Sequence, residues 1–167
     1  MRYKGFGGID GEELSKSVEK SHSELLSHFL KKGGDSRAHA LSTIATIPQV
    51  RMTRMLVGKT AIKFSDDKRA FPDSVGAFGY WLKRGYAFEL PAGTLYGEIR
   101  NLTVAGRCIS VADADIWDAT RVIPVCAVSG EAAGLIAATT NDISKLNLKE
   151  IQSILKNRGV MIHLGEK

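Results

Sequence analysis

The sequence predicts an α/β fold, and three patterns carry that prediction. Leu14, Val18, Leu25 and Phe29 recur at near-helical spacing behind an acidic start. From Met55 to Phe64 the apolar and β-branched positions Met55, Val57, Thr60, Ile62 and Phe64 alternate as in strands. A short β-branched run, Leu102–Ala105, stops at Gly106 and is followed by an Ala-rich helical run that opens on Pro124.

Composition narrows the class. The chain has 167 residues, 44% hydrophobic and 25% charged, which is ordinary globular composition and enough for one core. No apolar run approaches the roughly 20 residues of a spanning helix, and the opening MRYKGFGG has no apolar signal core, so a cytoplasmic chain without a membrane partner is expected. The formal charge of +5 is spread over short pairs such as Lys31-Lys32 and Lys83-Arg84, without the basic stripe that nucleic acid requires. Cys108 and Cys126 have neither CxxC spacing nor histidines in a ligand pattern, so no metal site and no disulfide framework is expected. They read as two small buried residues, with a low-pKa thiol at Cys126 as the alternative.

In chain order, Gly5-Phe6-Gly7-Gly8 imitates a dinucleotide fingerprint. The third glycine of G-x-G-x-x-G falls on Asp10, however, and no strand precedes it, so it reads as a flexible connection. Asp10 and Glu13 suit a capping box that opens a helix over about Gly11–Lys32, with His22 and His28 on its surface. Gly33-Gly34-Asp35-Ser36 is a loop, and Ala38–Ala45 is a short helix or an extended link. Within Met55–Phe64, Gly58 marks a bulge or a close approach. Asp66-Asp67-Lys68-Arg69 reads as a solvated turn, and Tyr80, Trp81 and Tyr86 as a packed cluster or a pocket lining.

Leu102–Ala105 reads as a buried strand whose Gly106 turn lets the backbone approach something closely. In the helix from Pro124 to Thr140, Ile123 cannot cap, which leaves the amide donors of Val125, Cys126 and Ala127 available to a ligand. Such an end carries roughly half a positive charge and suits an anion. Gly130, Ala133, Gly134 and Ala137 form a small-residue face that admits another backbone or a flat ligand. Asn147 and Glu150 cap a terminal helix with a Leu148, Ile151, Ile154, Leu155 stripe ended by Gly159, and Val160–Leu164 suits a final strand with His163 incidental to it.

Three phrases carry a resemblance: Asn101-Leu102-Thr103-Val104-Ala105-Gly106-Arg107-Cys108-Ile109-Ser110, then Trp117-Asp118-Ala119-Thr120-Arg121-Val122-Ile123-Pro124, then Gly130-Glu131-Ala132-Ala133-Gly134. They resemble the C-terminal part of FAD-dependent oxidoreductases, a family related to the flavoprotein subunits of fumarate reductase and succinate dehydrogenase. The likeness extends more loosely from Pro48-Gln49-Val50-Arg51-Met52-Thr53-Arg54, through Phe71-Pro72-Asp73-Ser74, to the helix ending near Gly159.

The resemblance implies FAD as cofactor, a small-molecule substrate, and a C-terminal fragment of a glutathione-reductase-like FAD-binding fold. Residues 1–100 would be the substrate-side segment and 101–167 the FAD-side strand, turn and helices. It implies cofactor contacts from Ala105, Gly106, Arg107, Arg121, Pro124, Val125, Cys126 and Ala127, with Gly130 and Ala133 supplying clearance. The helix N-terminus would face the flavin pyrimidine edge, where reduction places negative charge, and Arg107 could pair with the pyrophosphate. Arg51 and Arg54 match an Arg-containing segment near the substrate side, where a planar fork suits a carboxylate.

The chain departs from that pattern at two places. Met55 stands where a second adjacent Arg is common, and Pro91-Ala92-Gly93 replaces a Pro-Tyr-Arg phrase, which points to a different substrate class. No complete Rossmann strand and glycine turn is present to grip a pyrophosphate. The expectation is therefore the C-terminal portion of a larger, truncated or split flavoprotein, inactive alone and prone to self-association. Its partner would be the missing N-terminal FAD-binding domain, in cis or as a separate chain. The alternative is a non-catalytic orphan domain that binds another protein.

Overall fold

The computed structural model describes residues 7–36 and 39–166, and the chain forms two compact units, Met1–Thr53 and Arg54–Lys167. Gly5 and Phe6 of the apparent fingerprint, and Ala38 at the start of the expected link, lie outside the described residues.

The first unit is built on α1, Gly11–Lys31. Its N-terminus forms as its sequence dictates, with the Asp10 carboxylate accepting from the Glu13 amide at 2.8 Å. The return arm lands elsewhere than in a capping box, because Glu13 accepts from the Gly7 amide at 2.9 Å. Glu12 and Glu13 occupy the first turn and His28 and Lys31 the last, which complements the macrodipole. Gly33 and Gly34 take left-handed conformations to end the helix, with the Gly34 amide donating to the Phe29 carbonyl at 3.1 Å. No α1 residue is buried, and Leu26 and Leu30 of the helix stay 53% and 62% exposed. His39–Ala45 forms no helix, and His22 Nε2 lies 2.7 Å from the Ala45 carbonyl oxygen.

The second unit contains the core. Its sheet is a single antiparallel hairpin, β1 (Ser74–Gly79) and β2 (Ala87–Pro91), in the register Phe78 opposite Phe88 and Ala77 opposite Glu89. Among the described residues six helices or turns follow in order: 3-10 turns at Ala92–Thr94 and Gly106–Cys108, α2 (Ala114–Thr120), α3 (Ile123–Thr139), a 3-10 turn at Ile143–Lys145, and α4 (Leu148–Asn157). Val75, Phe88 and Leu90 of the hairpin join Ile116, Ile136, Ile151, Leu155 and Ile162 in one apolar cluster. Gly76 lets β1 press on α3: a β-carbon there would collide with a Val128 methyl. Phe64 lies within ring contact of Tyr80, Tyr86 and Phe88, so the two tyrosines belong to a packed aromatic cluster, while Trp81 is outside it and exposed. Helices with a two-stranded sheet agree with an α/β class.

Several elements differ from expectation. Met55–Phe64 is not a strand, because its amides are divided between two neighbours. Leu56 donates to Cys108 and Ile62 to Ser110, whereas Lys59 and Thr60 donate to Tyr96 and Gly93, so only one parallel bridge, Ile62 with Val111, forms. Gly58 is a close approach: a β-carbon would meet the Gly93 oxygen at 2.6 Å. Leu102–Ala105 is extended but not a strand, and Val104 donates to the Leu95 carbonyl at 2.8 Å. Asp66 is buried rather than solvated and accepts from the Lys63 amide and from Arg69. α2 is an additional helix, opened by Asp113, which accepts from the Ile116 amide at 2.9 Å and from the Phe64 amide at 2.8 Å. Residues 160–164 form no strand, and Asn147 caps α4 without a side-chain bond.

Candidate functional site

The candidate site is the place where the Gly106 turn meets the start of α3. Gly106 opens a single 3-10 turn, Gly106–Cys108, is buried, and has φ of +62°, a left-handed conformation that glycine adopts at no steric cost. Its amide donates to the Ser129 hydroxyl at 2.8 Å, and Ser129 in turn donates to the Val125 carbonyl at 2.6 Å. A β-carbon on Gly106 would meet the Cys126 sulfur at 2.9 Å. The close approach that the glycine permits is thus to the first turns of α3, which fixes Ala105, Gly106 and Arg107 beside Val125 and Cys126.

α3 begins one residue earlier than the sequence suggests, with Val122 as N-cap, Ile123 as its first residue and Pro124 as its second. No side chain caps it. The Cys126 amide donates to the Val122 carbonyl at 3.0 Å, so it belongs to the helix ladder. Ala127 lies one residue further in, and Val125 alone of the three expected donors falls in the positions without an acceptor one turn back. Ile123 is 84% exposed, so this uncapped end opens outward. Gly130 and Gly134 have no other atom within 4 Å of an added β-carbon, while Ala133 is buried in the core.

α2 holds the other side of the turn. The Trp117 indole donates to the Arg107 carbonyl at 2.8 Å, which leaves the Arg107 side chain exposed and, among the described residues, without an anionic partner. Arg121 is differently employed. It is the C-cap of α2, and its Nε donates to Asp118 at 2.7 Å in a largely buried ion pair. A cation at a helix C-terminus is favoured by the dipole, and Arg121 has that position as well as its place before α3. Cys126 donates weakly to the Arg121 carbonyl at 3.5 Å, which ties the two helices across their 79° bend.

Arg51 and Arg54 fall in different units. Arg51 donates to the Gln49 side chain at 2.7 Å within the first unit. Arg54 opens the second unit, two residues before Leu56, whose amide donates to the Cys108 carbonyl at 2.8 Å and so joins that strip to the Gly106 turn. Ser129 and Asp113 escaped notice in the sequence, and Trp117 was read only as part of a family phrase, without its bond to the Arg107 carbonyl. Asp113 had a readable signal, an Asp three residues before Ile116, whereas a serine inside a helix announces nothing. Among the described residues, no cluster of three metal-ligating side chains occurs.

These groups fit a flavin by their chemistry. The uncapped α3 end offers backbone donors, Arg107 offers an unpaired cation, and half-buried Gly130, with open space beside it, has no β-carbon to obstruct a flat ring. Comparison with protein families gives a match over residues 8–155 to the model described as FAD dependent oxidoreductase. No curated protein and no solved structure matched. The family model spans both units and includes the Gly106 turn, α2, α3 and most of α4, so the chain belongs to the FAD dependent oxidoreductases, with FAD as their cofactor.

Proposed function

We propose that this chain supplies the flavin-edge half of a glutathione-reductase-like oxidoreductase related to the fumarate reductase and succinate dehydrogenase flavoproteins. The observation that carries this reading is the seating of Gly106 on Cys126 and Ser129, which sets Arg107 beside an uncapped α3. Bound flavin supplies hydride or electron transfer. Val125, with Pro124 and Ile123 around it, directs backbone polarity toward the pyrimidine edge. Cys126 and Ala127 shape the wall beneath, while Ala105 and Gly106 bring the main chain close. Arg107 offers charge to the phosphates, and Arg121 closes the C-terminus of α2 by pairing with Asp118 of the same helix. Gly130 keeps the open helix face thin, while Ala133 packs into the core. Arg54, joined to the turn through Leu56, is the group that would meet an anionic small-molecule substrate.

The pyrophosphate grip is not part of this set, so a nucleotide-binding unit, in cis or as a separate chain, completes the cradle, and the isolated chain is inactive. Titrating the protein with FAD while following flavin fluorescence, alone and with such a unit added, tests the reading. Tight binding that requires the added unit supports it. Tight binding without the unit overturns the two-part cradle, and no binding in either case overturns the flavin site. A second reading, a protein-interaction module, draws on α1, where Leu25, Leu26 and Leu30 stay exposed.

A further inference from the structure

We propose that the groove between residues 56–59 and 97–99 binds an aliphatic zwitterion, a small molecule with an ammonium, a carboxylate and a branched apolar body. The groove has a volume of about 550 Å³ and is lined by Leu56, Val57, Gly58, Lys59, Gly97, Glu98 and Ile99. That is the size of a small-ligand site. Its walls are apolar and open, with Val57 87% and Ile99 57% exposed. The two strips are drawn together because Gly97 lacks a side chain: a β-carbon there would stand 2.5 Å from the Val57 carbonyl oxygen. The Lys59 amide donates to the Tyr96 carbonyl at 3.0 Å and fixes the register between them.

Two opposite charges line this apolar groove, and neither is neutralised by the protein. The Lys59 ammonium lies 5.8 Å from the centre of the Tyr96 ring and, among the described residues, has no carboxylate within ion-pair distance. Glu98 has neither an ion pair nor a hydrogen bond among those residues. Lys59 and Glu98 therefore do not satisfy each other, although they share one groove. A ligand with one charge leaves one of them unmatched, whereas a zwitterion meets both while its body covers Val57 and Ile99. The Leu56 amide on the Cys108 carbonyl places the groove against the strip that carries Gly106 and Arg107. That the bound molecule is a substrate rests on the flavin reading above; that it binds does not.

The test uses three probes with the same body: leucine, 4-methylvalerate and isoamylamine. Binding to the full chain is followed by the amide shifts of residues 56–59 and 97–99. Leucine should bind about threefold tighter than either single-charge probe, the size expected for exposed ion pairs. Lys59→Met should bring leucine down to the level of isoamylamine, and Glu98→Gln to the level of 4-methylvalerate. Equal affinities for the three probes, an order unchanged in both variants, or shifts confined to other amides would overturn the proposal. Flavin uptake is scored separately by visible absorbance. With the nucleotide-binding unit added, probe binding without flavin uptake leaves the groove standing and removes its role as a substrate site, whereas flavin uptake without probe binding overturns the groove and leaves the flavin reading intact.

Discussion

A β-carbon on Gly106 would stand 2.9 Å from the Cys126 sulfur, at a backbone φ of +62°. Position and conformation both exclude a side chain, but they are separable. Gly106→Ala is expected to lower stability by about 1–3 kcal/mol, combining left-handed strain with overpacking. Adding Cys126→Ala should return part of that loss by removing the contact and leaving the strain. Urea denaturation of both variants checks this, and a double variant no more stable than Gly106→Ala would rule out the contact.

Gly130 should behave in the opposite way. An added β-carbon meets no other atom within 4 Å, so in the chain itself Gly130→Ala should gain about 0.5–1 kcal/mol of stability from helix propensity. Gly130→Val should leave stability within about 0.5 kcal/mol. If this open face covers the cofactor, the same valine lowers flavin retention in the FAD-loaded protein. Stability by denaturation and flavin content by absorbance separate the two effects, and unchanged flavin content in the valine variant removes Gly130 from the site.

Glu89 predicts an acid limb of stability. Burial pushes its carboxyl pKa up, but donors from the Phe71 amide, His163 and the Leu164 amide outweigh that and hold it below the ordinary carboxylate range. Its folded-state value is depressed, so its contribution is present above the ordinary glutamate range and is lost as pH falls through the lowered value. Glu89→Gln should therefore flatten the fall in denaturation midpoint below about pH 4.5, where the wild-type carboxylate begins to lose its contribution. Glu89→Ala leaves the Phe71 and Leu164 amides without their acceptor, at about 1–3 kcal/mol for each that remains buried. An unchanged acid limb in Glu89→Gln would remove Glu89 as its source.

The same contact shows what was legible in the chain and what was not. Helix ends were readable because capping is local: Asp10 caps α1, and Gly159 follows α4 with a left-handed φ. The Gly106 turn was readable as a close approach, but not the identity of its neighbours, because Ser129 and Cys126 are fixed only once α3 folds back on it. His163 looked incidental, yet it lies 3.0 Å from Glu89 across 74 residues of sequence. Alternation in Met55–Phe64 suggested a strand, and the period was present, but the division of its amides between the 93–96 and 108–110 strips is a tertiary choice. Asp113 was the one missed signal that local rules could have supplied.

The two arginines that flank α2 should separate function from folding. Arg121 is paired with Asp118 and caps α2, so Arg121→Ala leaves a largely buried carboxylate unpaired and should cost about 1–2 kcal/mol of stability. Arg107 is exposed, and only its carbonyl is held, by Trp117. Arg107→Ala should leave stability within about 0.5 kcal/mol. In the FAD-loaded protein it should weaken flavin binding by about 1.5–3 kcal/mol, roughly 10- to 100-fold, because a charged hydrogen bond to the cofactor is lost. Denaturation and flavin titration of both variants give the answer. The assignment of Arg107 to the cofactor fails if its alanine variant unfolds more easily yet holds FAD as tightly as the parent chain.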